Sequence, residues 1–349
     1  MTVYLTFIGT TIEFDVHPRA EADFAPIRDF FRHLLTAGPA GTPRFRVSVT
    51  PLPPAGDGPW GRPVVIRRSS AAQFCFEARL GRRGDRWVYR NDHTELDVPV
   101  DAAADPHFVA GISGHSAIQV IDFVRDLIIR NEETAGTVIL HAAGVRRDGE
   151  VYAIAGPKGA GKTTTLLSVL RHGGWDYFTG DKLFCVAPPG EGHITVFAWR
   201  DFPYIGAGTL RAHPELAAKV RATADPLLAE RPAGHKILLD PDDFESWLGA
   251  RFDPAAHRLS GILLPHVEPG SPLAAEAVAE PNARWSMLNT VVERSADTTF
   301  FGWQHYLVPD YAACYANLAA MRPRLPSLAM IRLSGTLEVD LNEVLREVA

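Results

Sequence analysis

"AIAGPKGAGKTTTLL", Ala153 to Leu167, decides how this chain is read. A strand-forming run meets a glycine-rich turn, and a helix-forming run follows at once. Gly156, Gly161, Lys162 and Thr163 fit G-x-x-x-x-G-K-[ST], a phosphate-binding loop. The chemistry requires those residue types. Glycines let backbone N–H groups curl around phosphate oxygens with no Cβ in the way. A helix starting near Lys162 adds the positive end of its dipole. The Lys162 ammonium reaches the β- and γ-phosphates, and the Thr163 hydroxyl ligates magnesium. The expected ligands are therefore ATP and magnesium. The residues expected to hold them are Gly156, Pro157, Lys158, Gly159, Ala160, Gly161, Lys162, Thr163 and Thr164.

The flanks sharpen this. Upstream, "TVILH", "AAGVRR" and "EVYAIA" read as strands, and Asp148-Gly149 between the last two predicts a type I′ hairpin. The loop then follows the second arm of a hairpin. Downstream, "KTTTLLSVLRH" predicts a short helix stopped by Gly173-Gly174. "WDYFTGDKLFCV" reads as a strand pair bent at Thr179-Gly180-Asp181, and "HITVFAWR", "KILLD", "SGILLPHV" and "AMIRLSG" as further strands. A helical region is expected from Pro214 to Leu228, broken at Pro226, and "VDLNEVLREVA" as a terminal helix. "HSAIQVIDFVRDLIIRNEE" (His115–Glu133) carries Ala117, Val120, Ile121, Val124, Leu127 and Ile128 on one helical stripe.

Nearer the start, "TVYLTFIGTTIEFDV" alternates like one or two strands. "FAPIRDFFRHLL" places Phe24, Ile27, Phe30, Phe31, Leu34 and Leu35 on one helical face. "FRVSV" reads as a strand. "QFCFEARL" and "RWVYR" read as a hairpin, with Phe74, Phe76, Ala78 and Leu80 sharing a face. The chain therefore divides into an N-terminal α+β substrate or accessory region, residues 1–112, and a nucleotide-binding domain, residues 113–349.

Bulk composition removes other classes. The 349 residues are 46% hydrophobic and 22% charged, as in ordinary globular proteins. A net charge of -6 argues against a nucleic-acid partner. Cys75, Cys185 and Cys314 are odd in number and lack CxxC spacing, so neither a disulfide framework nor a zinc site is expected. No leader-like start and no run of about 18 apolar residues is seen, so the expectation is a cytoplasmic protein without a membrane partner. "GPKGAGKTTTL" looks like a transporter ATPase. However, "RLSGILLPH" holds its LSG without the rest of that signature, and no apolar strand ends in Asp-Glu. The NKxD of small GTPases is absent.

"LHAAGV", the hairpin, "GPKGAGKT" and then "GD" resemble the HPr kinase/phosphorylase superfamily, whose core is also similar to phosphoenolpyruvate carboxykinase. His141, fifteen residues before Gly156, falls where that family has a histidine, and Asp181 on the second member of its acidic pair. The resemblance covers about residues 136–200. It implies an α/β (α+β) fold: a P-loop core of mixed β-sheet with flanking helices, beside a smaller N-terminal α+β unit. It implies an ATP-dependent phosphotransferase acting on a hydroxyl, with Asp181 as general base and magnesium contact and His141 near the γ-phosphate or the base. Gly180 stands where the family has its first acid, and "VFAWRDFPYIGAGTL" replaces its glycine-rich signature. The nearer resemblance is thus to divergent members encoded with peptide natural products, which phosphorylate a peptide serine. The acceptor is expected to be a hydroxyl-bearing peptide or protein serine or a small alcohol. Homo-oligomer formation stays open, since HPr kinases assemble.

Other side chains carry weaker signals. Arg200, at a strand end, and Lys236, before "ILLD", are candidates to touch phosphate or acceptor. "ILLDPDD" imitates a magnesium-binding strand through Asp240, against which Pro241 predicts a helix start. His235, His257 and His266 are scattered. The alternative function is a non-catalytic nucleotide-binding sensor or scaffold, or a motion-coupled NTPase.

Overall fold

Alternation and turn chemistry build the first sheet. β1 (Thr2–Phe7) and β2 (Thr10–Val16) form a hairpin whose turn holds Ile8 at φ 53°. α1 (Glu21–Phe31) buries Phe24, Ile27, Phe30 and Phe31. It is shorter than its apolar face suggested. Arg32 and Leu34 donate backward three residues, to Asp29 and Phe31, tightening the last turn. Leu34 is buried beyond the helix, and Leu35 opens β3 (Leu35–Thr36).

β4 (Phe45–Pro51), β5 (Pro63–Arg67), β6 (Phe76–Arg83), β7 (Arg86–Arg90), β8 (Thr94–Pro99) and β9 (His107–Ile112) complete this sheet. Its order is β3-β1-β2-β4-β9-β8-β7-β6-β5, with β4 parallel to both β2 and β9. The computed structural model describes residues 1–56, 60–67, 76–220, 230–268, 270–294, 310–335 and 339–348. Phe74, Cys75 and Pro226 lie outside them, as does the second half of the 214–228 helix.

α2 (Ala117–Ala135) is the helix expected to open the second domain, and it belongs to the first. Its apolar stripe is buried, and Phe123 sits edge-on to Phe108 at 5.4 Å. Its buried Glu132 accepts from the Gly9 N–H at 3.0 Å and from the Thr10 hydroxyl. The division therefore falls after Ala135, not at residues 112–113. One unit is Met1–Ala135 with Asp310 and Tyr311, and the other is Gly136–Arg294 with Ala312–Ala349.

The second unit is organised by one long strand. β10 (Thr137–Arg147) merges "TVILH" and "AAGVRR". It turns through Asp148 (φ 51°) and Gly149 (φ 80°) into β11 (Glu150–Ala155), as the Asp-Gly signal predicts. α3 (Lys162–Arg171) follows the glycine loop. β12 (Asp176–Thr179) and β13 (Lys182–Val186) run along one edge of β10, and β14 (Ile194–Ala198) pairs with β13. Next come β15 (Tyr204–Gly206), α4 (Ala207–Ala212), α5 (Pro214–Val220), β16 (Lys236–Leu238), α6 (Pro241–Leu248), β17 (His257–Val267) and β18 (Ala274–Ala277). The chain closes with α7 (Pro281–Val291), β19 (Val292–Glu293), α8 (Tyr311–Met321), β20 (Ala329–Gly335) and α9 (Leu341–Val348).

β11 is antiparallel to β10 on one edge and parallel to β17 on the other, and β17 is parallel to β20. Because β14 also pairs with β17, the ladders β11-β10-β13-β14-β17 form a closed circuit. The hairpin was legible in sequence; the parallel neighbour, more than a hundred residues away, was not. Leu166, Leu167 and Val169 of α3 join Ile154, Leu263, Ile331, Leu341 and Val344 in one buried cluster, which fixes the helix under the loop. The result is a mixed α/β fold with several sheets and flanking helices. No described helix is long and apolar enough to cross a membrane.

Candidate functional site

The glycine loop spans the end of β11 and the start of α3. Gly161 stands at the helix N-cap with φ 98°. A Cβ there would fall 2.3 Å from Val267 Cγ2, so glycine is required by both conformation and space. Val267 ends β17 and donates its N–H to Ala160 O at 3.2 Å, tying the loop to the parallel strand. Gly159 adopts φ 89° with nothing near its absent side chain. Lys162 Nζ donates to Gly156 O at 2.8 Å, and Ala160 N–H to Pro157 O at 3.1 Å. The loop thus lies beyond the carboxyl ends of two parallel strands, the usual position of ligand crevices in α/β sheets. Exclusion of side chains, a helix N-terminus of ten residues and a half-buried lysine suit the phosphates of a nucleotide. Thr163 and Thr164 occupy the first turn of α3, half-buried.

A second group stands on β10 and its two neighbours. His141 pairs across the ladder with Lys182, and Gly180-Asp181 is the bend between β12 and β13. Ala142 N–H donates to Asp181 O at 2.9 Å, holding the bend against β10. The Asp181 carboxylate is met on both oxygens: His141 Nδ1 lies 3.2 Å from Oδ1 and Lys182 Nζ 3.6 Å from Oδ2. Lys182 also ion-pairs with Glu293 of β19, which joins the opposite edge of β10 at Ile139.

The two groups share one electrostatic environment. Burial pushes the Lys162 ammonium below its usual range; Asp181 works to raise it and Lys236 to lower it. Burial lowers Lys236 too, with Asp181 raising it and Lys158 lowering it. Burial works to raise the Glu293 carboxyl, yet the Lys182 ammonium beside it leaves it below the ordinary value.

Of the predicted site residues, His141, Asp181, Lys158, Lys162 and Lys236 are therefore brought into mutual influence. Lys236 comes in on the two-stranded β15–β16 sheet; α4, which follows β15, carries Thr209, whose hydroxyl lies 3.4 Å from that of Thr164. Arg200 is different. Expected at an exposed strand end or at phosphate, it is buried and forks onto Glu245 Oε1 (2.9 Å) and Oε2 (3.2 Å) and onto Asp242. That is the geometry of a structural arginine. Asp240 is the N-cap of α6, accepting from the Asp242 N–H at 2.8 Å, as Pro241 predicted. His257 binds Asp253 and Arg146 at the other end of β10, and His266 binds Glu268 at 3.0 Å in solvent.

Among the described residues, no three His, Cys, Asp or Glu side chains are grouped to hold a metal unaided. Magnesium in phosphoryl transfer takes one or two protein oxygens and completes its shell with phosphates and water, so Thr163 and Asp181 suffice in chemistry.

Sequence reasoning missed Lys182 and Glu293. Lys182 neighbours Asp181, and alternation along a strand separates such neighbours onto opposite faces unless the chain bends. Glu293 had no signal, being brought in by a two-residue strand. In comparison with known proteins, the chain matches no family model, and no curated protein is significantly similar to it.

Proposed function

We propose that the second unit is an ATP-dependent kinase of the HPr kinase-like class, transferring the γ-phosphoryl group to a hydroxyl. The observation that carries this reading is the Asp181 carboxylate. It lies 3.2 Å from the His141 ring and is the nearby negative charge felt by Lys162 and Lys236. A base, its orienting partner and a glycine-loop lysine are what phosphoryl transfer to an alcohol needs, since the rest is positioning and charge stabilisation.

In this reading the loop N–H groups from Lys158 to Thr164 and the Lys162 ammonium hold the phosphates of ATP, and Thr163 and Asp181 would supply oxygens to magnesium. Magnesium, when bound, neutralises charge on the phosphate oxygens. Asp181 receives the proton of the acceptor hydroxyl as its oxygen–phosphorus bond forms and the bond from the γ-phosphorus to the β–γ bridging oxygen breaks, releasing ADP. His141 orients the carboxylate and adds positive character beside it. The acceptor is a peptide or protein serine or a small alcohol.

Asp181→Asn is the test. Equilibrium binding of ATP should stay within about threefold of the wild type, while γ-phosphoryl transfer falls by about 10²–10⁴-fold. The transfer screen uses γ-labelled ATP against serine-bearing peptides and small alcohols. Normal turnover by Asp181→Asn would remove Asp181 as base. A second reading, a nucleotide-binding sensor, is favoured by one observation, the glycine at position 180 in place of a carboxylate. Tight ATP binding with no transfer to any acceptor would select it.

A further inference from the structure

Position 180 carries no side chain in this chain. A Cβ on Gly180 would meet the Tyr177 hydroxyl oxygen at 3.2 Å, and Tyr177 is itself buried. The site nevertheless contains a second acid, Glu293, from the far edge of β10. Residues opposite each other in an antiparallel ladder face the same side, and so do residues two apart on one strand. Ile139 pairs with Glu293 and His141 with Lys182, so all four share one face of β10. Lys182 spans it: its ammonium pairs with Glu293 and lies 3.6 Å from Asp181 Oδ2, and its side chain is only 7% exposed.

An ammonium this buried is destabilising unless carboxylates surround it. Glu293 and Asp181 meet that need, and the buried stem keeps Lys182 from swinging into water. The Asp181 carboxylate is 41% exposed and stands on a bend, where an unrestrained side chain samples several rotamers. His141 restrains one oxygen and Lys182 the other. Glu293 anchors Lys182 from β19.

We propose that Lys182 is a positioning residue that fixes the Asp181 carboxylate and that Glu293 anchors it, supplying from β19 a second acid beside the glycine at position 180. This rests on the reading of Asp181 as the base of a kinase.

The experiment measures kcat and KM for ATP in the full chain, using release of γ-phosphate to water, with a thermal melt of each variant. Lys182→Met should lower kcat about 10–100-fold, the usual loss when a residue supporting a reactive group is removed. KM for ATP should stay within about twofold, the pattern of a lost transition-state interaction. Lys182→Arg keeps the cation and should recover to within about threefold of the wild type. Glu293→Gln keeps the side-chain shape and leaves Lys182 on Asp181. It should lose about three- to tenfold in kcat, and it tests the proposal even where Lys182→Met fails to fold.

Wild-type kcat in folded Lys182→Met or in Glu293→Gln overturns the proposal while leaving the kinase reading intact. Equal losses in Lys182→Met and Lys182→Arg, tracking their melting temperatures, also overturn it, since a purely structural lysine behaves so. A wild-type chain that binds ATP but passes its γ-phosphate neither to water nor to any acceptor of the transfer screen overturns the kinase reading, and this inference with it.

Discussion

Two histidine–aspartate pairs lie against β10, one through His141 and the other through Arg146, and their difference is instructive. Toward its N-terminal half, His141 meets Asp181 at 3.2 Å; at its C-terminal end, His257 meets Asp253 at 3.0 Å. Each pair also has a cation, Lys182 in one and Arg146 in the other. Contact chemistry alone does not separate them. Their surroundings do. Asp181 faces the lysines of the glycine loop and of β16, with about two-fifths of its surface open to water. Asp253 and Asp176 balance Arg146 beside the tip of the β10–β11 hairpin, the end of β11 remote from the loop. The first pair meets a surplus of charge of the opposite sign, and the second meets a balance.

Substitution of the two aspartates tests this contrast. Asp181→Asn should abolish phosphoryl transfer, by about 10²–10⁴-fold, with little change in melting temperature. Asp253→Asn should leave transfer unchanged. An equal loss of transfer in both would erase the distinction.

The next effect concerns stability. Arg200→Ala leaves Glu245 buried without its guanidinium and should cost about 3–5 kcal/mol in a denaturant melt. A loss below 1 kcal/mol would show that these ion pairs contribute little to folding.

Gly161→Ala should cost roughly 1–3 kcal/mol through its left-handed backbone and the Val267 contact, and weaken ATP binding together with stability. Unchanged ATP affinity would detach the loop from nucleotide binding.

The smallest effect is that of Asp253→Asn on folding. Burial disfavours the Asp253 carboxylate, but the Ala255 N–H, the His257 ring and the Arg146 guanidinium outweigh it and hold its pKa below 3.8. The folded value lies under the unfolded one, so the stabilisation is fully present above pH 3.8 and is lost as pH falls through the folded value. Wild type should exceed Asp253→Asn by about 1 kcal/mol near neutrality, and the gap should close in acid. A gap that persisted or widened on acidification would contradict that sign.

Much of the site was legible because its parts are local. The glycine loop is a contiguous backbone feature, and Gly156, Gly159 and Gly161 announce it through the left-handed backbone that glycine adopts. Asp148-Gly149 set the hairpin, since φ above zero at two successive positions admits few residues. Asp240-Pro241 marked the start of α6 for the same local reason. The limit of α1 was not legible, because its apolar stripe continues through Leu34 and Leu35 while the backbone does not. Nor was the place of α2, whose stripe fits any apolar surface; Glu132 reaching Gly9 and Thr10 assigned it.

The sequence by itself determined the glycine loop, the hairpin leading into it, the acidic bend at Gly180-Asp181 and the absence of a long apolar span. Each depends on backbone sterics or side-chain periodicity within a few residues. Tertiary structure decided what depends on distant partners: the pairing of β11 with β17 that places Val267 over Gly161, the burial of Arg200 against α6, and the arrival of Glu293 beside Lys182. Nearest-neighbour rules carry no information about which remote strand fills an edge. Long-range pairing is chosen by the summed burial and hydrogen bonding of the whole unit, and the second acid of this site exists only there.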